Sequence, residues 1–226
     1  MNHAINHFMM GTRRRVRPAV TAVLVALVVL VVLPRLTTAQ DARLLAIRDD
    51  ATRDVVRRFV EAARLRGTPT EPLVSRALEG VAFKADGKRI EQAMAALEKR
   101  MRKSTELLAG RVTVDEITAA ADALANAVPE RTIREMKQLS PLRSITVELG
   151  VLTELVAKGV TPKKAAEMVK QLMARGATGA QLTELNAAVQ LDVALGIKPV
   201  AALDLRGRGV MSLLPPPASI HSAQRR

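Results

Sequence analysis

The chain has 226 residues, a formal charge of +13, and no Cys, Trp or Tyr. Without a thiol it has no disulfide, no Cys-bound metal and no thiol nucleophile. Its three His are His3, His7 and His221, so the long stretch between His7 and His221 offers no imidazole base or ligand, and no cofactor or metal is expected.

The first element is a basic cluster, Arg13, Arg14, Arg15 and Arg17, followed by a fifteen-residue apolar run from Ala19 to Leu33. A bilayer-spanning helix needs about 20 residues, whereas the core of a signal peptide needs about 7–15. The run therefore reads as a signal core. Thr37 and Ala39 take the −3 and −1 positions of a small-residue cleavage site, with Gln40 as the new first residue. The alternative is an uncleaved anchor, which the Arg cluster would orient with the body outside the cytoplasm. Residues 1–39 are thus read as signal peptide or signal anchor, and the body as exported, periplasmic or extracellular. Five positive charges and no acid fall in this segment, leaving about +8 for the rest.

Residues 40–206 read as one all-α domain of about eight or nine short helices. Ala and Leu are plentiful, β-branched runs are absent, and no segment alternates with period two. Apolar residues recur at steps of three and four. The stripes are Leu44, Ala51, Val55, Phe59, Ala62; then Ile90, Ala93, Met94, Leu97, Met101; then Ile117, Ala120, Ala121, Leu124. They continue at Ile145, Leu149, Leu152, Leu155, Val156; at Ala165, Met168, Val169, Leu172; and at Leu182, Leu185, Val189, Val193.

Five joints look alike, at Gly67, Gly110, Gly159, Gly176 and Gly196. In each a helix can end on a left-handed glycine. Pro69, Pro162 and Pro199 fit the first position of the next helix. Thr68 with Glu71, Thr113 with Glu116 and Thr178 with Gln181 fit capping boxes. Further joints are expected around Gly80 and Gly87, and around Pro129. The glycine intervals of 43, 49, 17 and 20 residues are too uneven for a strict repeat. The expected architecture is an irregular multi-helix bundle or a short helical-hairpin solenoid, the bundle being preferred. Residues 207–226 read as a disordered tail, because Gly207, Gly209 and Pro215 to Pro217 oppose a helix.

The candidate contact residues are Lys88, Arg89, Lys99, Arg100, Arg102 and Lys103, on the flanks of one helix. They would form an anion-binding strip for a membrane surface or envelope component, or else a solvated face with Glu98 paired to Arg102. Asp49, Asp50 and Asp54 lack the glycine turn and distal Glu of a calcium loop and read as surface ion pairs. Asp115 and Glu116 are explained by the helix dipole. The Met residues read as core filling. No catalytic residue is assigned.

The expected function is a non-enzymatic, exported binding or scaffolding protein with an unidentified protein or envelope partner. The alternative is attachment to an anionic surface through the basic helix. A carboxylate-only hydrolase is a remote third, since the body has only Phe59 and Phe83 as sugar platforms. Nucleic acid is not an expected partner, for want of stacking side chains and of any reader motif.

Overall fold

The structure is a computed structural model and describes residues 42–216. The apolar run, the cleavage site at Thr37, Ala39 and Gln40, and the tail beyond residue 216 lie outside the described residues. The body belongs to the compact unit Leu44–Arg226.

The described residues are all-helical, without strands. The helices are α1 (Asp50–Leu65), α2 (Glu71–Ala82), α3 (Gly87–Leu108), α4 (Val114–Ala125), α5 (Glu130–Leu139), α6 (Thr146–Ala157), α7 (Pro162–Ala174), α8 (Gly179–Ala194) and α9 (Pro199–Leu213). No helix among them is long and apolar enough to cross a membrane.

The packing is sequential. α3, α5, α7 and α9 contact one another in succession, and α4, α6 and α8 form a second succession. α3 on α4, α6 on α7 and α8 on α9 join the two rows, while α1 and α2 pack on each other and on α3. Every substantial contact therefore links helices one or two places apart along the chain.

Burial follows the apolar stripes, with one shift. In α1 the buried residues are Thr52, Val56, Val60 and Ala63, one position beyond the stripe read from the sequence. Paired apolar residues at 55–56, 59–60 and 62–63 make the face wide. Its centre is chosen by the cap: Asp49 accepts from Thr52 N at 2.8 Å and from the Thr52 hydroxyl, turning Thr52 inward. The other stripes hold. Met94, Met101, Ile133, Met136, Leu149, Leu152, Leu155 and Leu172 are among the largest fully buried side chains, each worth about 1.5–3 kcal/mol of burial.

Six joints share one geometry. After α6, Gly159 N donates to Val156 O (2.9 Å) and Val160 N to Leu155 O (3.1 Å), the paired bonds that close a helix on a left-handed residue. The same pair recurs at Gly67, Gly176 and Gly196, and also at Lys84 and Ala127, where non-glycine residues hold φ of 56° and 59°. The joint at Gly110 differs, because α3 ends one residue earlier on Ala109, at φ 48°. The residue after each left-handed position faces inward in most joints, as Val128, Val160 and Ala177 do.

The caps agree in part. Thr178 and Gln181 form the full capping box. Thr113 caps α4 by accepting from Glu116 N (3.1 Å), but the Glu116 side chain is engaged elsewhere. Thr68 is not the cap; the N-cap of α2 is Thr70, with Pro72 in the first turn, and Thr68 is buried with its hydroxyl 3.5 Å from Glu98 of α3. Gly80 lies inside α2, where a Cβ would meet Ile90 Cγ1 at 2.8 Å, so it serves helix contact rather than a joint.

The C-terminal expectation is corrected as far as Leu213. α9 runs straight through Gly207 and Gly209. Gly207 is buried, and a Cβ there would collide with the Met168 side chain. The glycine is therefore a close-approach point between α9 and α7 rather than a helix breaker.

Candidate functional site

Three partly exposed ion pairs cross-link the first row. Lys103 reaches Glu130 (3.3 Å, α3 to α5), Lys170 reaches Glu135 (2.6 Å, α5 to α7), and Lys164 reaches Asp204 (3.0 Å, α7 to α9). Such pairs contribute about 0–1 kcal/mol each, so burial holds the row and the pairs set its register. The Lys170 and Arg131 hydrogen bonds hold the Glu135 carboxyl below its usual range.

Two concave features lie between α5 and α7. One cavity of about 550 Å³ is lined by Glu135, Gln138, Leu139, Lys170, Gln171 and their neighbours. A second, of about 420 Å³, is lined by Leu139, Pro141, Leu142, Arg143, Met173 and Ala177, among others. Leu139 borders both: the first is lined mostly by polar side chains and bridged by the Lys170–Glu135 pair, while the second is a trough with an apolar floor flanked by Arg143 and Glu148. Leu142 is 99% exposed at its rim.

The trough wall is pinned from beneath. Lys137 of α5 donates to Glu116 Oε1 of α4 (2.9 Å) and to Arg143 O (3.0 Å). Glu116 Oε1 also accepts from Ile145 N (3.1 Å). These contacts fix both ends of the α5–α6 joint while leaving Leu142 outside. Glu116 lies in the first turn of α4, as its helix-dipole reading has it, and is in addition a buried tie between elements. On the other wall, α7 ends at Arg175, whose guanidinium donates to Leu214 O (2.8 Å) and Pro215 O (2.9 Å). That clamp seats the end of α9 beside the trough.

The basic residues of α3 do not converge. Lys88 to Lys103 extend over about 22 Å of helix at 1.5 Å per residue. Arg89 pairs with Asp86 (3.6 Å), Lys103 with Glu106 (3.5 Å) and Glu130, and Arg100 is half-buried with its Nε lacking a hydrogen bond. Lys88, Lys99 and Arg102 share the exposed face and have no ion pair among the described residues. Glu98 does not pair with Arg102. It turns inward, 8% exposed, and accepts from Arg66 Nε at 2.8 Å.

Of the three acids read as surface ion pairs, Asp50 and Asp54 are so paired and Asp49 is instead a helix cap. Asp49 caps α1, and its Thr52 bonds lower its pKa; Asp50 pairs with Arg53, and Asp54 with Arg57 at 2.8 Å. Asp192 accepts a bidentate Arg206 at 2.7 and 2.6 Å, which lowers its pKa and raises that of Arg206. Burial pushes the Asp122 carboxyl up despite nearby Arg76 and Arg100. Among the described residues no cluster of acids and His has metal-binding geometry. Met94, Met101, Met136 and Met168 fill core, while Met173 lines the trough.

No protein-family model, curated protein or solved structure matches the chain.

Proposed function

We propose that the body is an open array of helical hairpins that works as a non-enzymatic binding or scaffolding module. Its α5–α7 trough would receive a short segment of a partner protein. The observation that carries this reading is the trough itself: an apolar floor, a fully exposed Leu142 at the rim, and walls pinned by Lys137 and Arg175. A preformed groove with fixed walls loses little entropy on binding. The basic leader and its fifteen-residue apolar run support export to the envelope as the setting.

The test is a photo-crosslinking residue at Leu142 in the full chain, expressed in its source cells. A discrete partner adduct is expected there. A matched probe at Leu65, 82% exposed on α1, is the control. No adduct at Leu142, or the same adducts at both positions, would rule the trough out.

A second reading has its own observation. Lys88, Lys99 and Arg102 lie on one face without ion pairs among the described residues, which favours attachment to an anionic surface. Reversing all three charges should abolish binding to phosphatidylglycerol vesicles; binding that survives reversal would exclude that face.

A further inference from the structure

A cleft of about 240 Å³ opens where the α1–α2 joint meets the C-terminal third of α3; the trough reading does not use it, and the anionic-surface reading shares only its Arg102. Its walls carry Arg66, Thr68 and Pro69 on one side and Met101, Arg102 and Glu106 on the other. Arg66 is fixed by its Nε bond to the buried Glu98 (2.8 Å). Its two terminal nitrogens, and all of the Arg102 guanidinium, make no hydrogen bond among the described residues. Backbone donors nearby are already used: Gly67 N donates to Arg64 O and Thr68 N to Ala63 O. The free donors of the cleft are therefore two guanidinium groups on opposite walls. Glu106 is the one carboxylate in the lining, and Lys103 matches its charge at 3.5 Å. Met101 is fully buried beneath the cleft, and the half-buried Pro69 supplies its accessible apolar surface.

Two forks approaching from different walls suit an anion whose oxygens point out of one plane. A carboxylate, with two coplanar oxygens, is satisfied by a single fork. We propose that this cleft binds a phosphate ester, with the phosphate between Arg66 and Arg102 and the carbon portion against Pro69. A lipid headgroup and a soluble ester share this chemistry, and the test separates them.

The experiment is calorimetric titration of the full chain with glycerol 3-phosphate, with acetate as the carboxylate control. Saturable binding of the phosphate ester alone is expected. Arg102→Gln removes a side chain with no hydrogen bond or ion pair among the described residues, so the variant keeps its structure; it should weaken binding about tenfold or more. Glu106→Gln should tighten binding. Lys88→Gln removes the same charge about 21 Å along the same helix and should leave the affinity within about twofold, since at that distance the charge is screened. In a second arm, phosphatidylglycerol vesicles that bind and are displaced by glycerol 3-phosphate identify a headgroup as the source. Titration without vesicle binding identifies a soluble ester. Absence of saturable binding, or equal losses in Arg102→Gln and Lys88→Gln, overturns the site.

Discussion

Lys137 and Glu116 lie 21 positions apart in sequence and 2.9 Å apart in space, both almost wholly buried. Removing one partner of such a pair leaves an uncompensated charge, at a cost of about 3–5 kcal/mol. Lys137→Met should therefore lower unfolding free energy by about that amount in urea titrations. Adding Glu116→Gln removes the orphan charge and keeps an acceptor for Ile145 N, so the double variant should recover more than half of the loss. Additive losses in the two variants would show that the pair is not coupled.

The left-handed joints give a test of opposite sign. Lys84 and Ala127 hold positive φ without being glycine, which costs about 1–2 kcal/mol at each. Ala127→Gly should raise the urea midpoint by about 1 kcal/mol equivalent, after allowing for the greater freedom of unfolded glycine. Gly159→Ala should lower it by a similar amount, since φ is 95° there although the nearest side-chain atom, Pro199 Cγ, is a tolerable 3.5 Å away. Equal midpoints for all three proteins would contradict the assignment.

The two glycines of α9 should separate. Gly209 has nothing within 4 Å of a new Cβ, so Gly209→Ala should stabilise the helix by about 0.5–1 kcal/mol. Gly207→Ala has the same propensity gain but must displace Met168, and should show no gain or a loss. Thermal melts of the two variants decide it; identical gains would mean that α9 does not approach α7 so closely.

Acid should weaken the fold through specific carboxylates. Asp192 and Glu135 have pKa values held below the usual range of about 3.9 for Asp and 4.3 for Glu. The unfolded chain binds their protons first. Their stabilisation is thus complete above the ordinary values and disappears as pH falls through the lowered ones. Asp122 acts with the other sign, because its raised pKa makes the folded state take up its proton first, favouring the fold as pH falls. Asp192→Asn should flatten the acid limb of stability against pH below about 4, and Asp122→Asn should steepen it. Unchanged limbs in both variants would refute the attribution.

Helix identity was legible in the sequence because local spacing determines it. The stripes from Ile90 to Val193 and the glycine joints at Gly67, Gly159, Gly176 and Gly196 depend on residues within one turn of each other. α5 was not legible. It has only Ile133, Met136 and Leu139 as large apolar residues, and it fills its inner face with Thr132 and the stem of Lys137. The role of Glu116 was hidden for a different reason. Its position in the first turn of α4 satisfied a local rule, while its partner comes from another helix. The trough combines the α5–α6 joint with residues of α7 more than 30 positions later, and the phosphate cleft joins Arg66 to Arg102. Composition places such residues on surfaces but cannot bring them together.

The sequential wiring of the helices has a mechanical consequence. With no substantial contact among the described residues bridging helices more than two places apart, no distant staple among them resists bending or stretching of the rows. Tension along a row is shared among successive interfaces, each yielding slightly, as in a short spring. The ends should fray before the middle, because among the described residues α9 packs substantially on α7 and α8 alone. The segment from α4 to α7, which carries the trough, would then keep its form while either end opens.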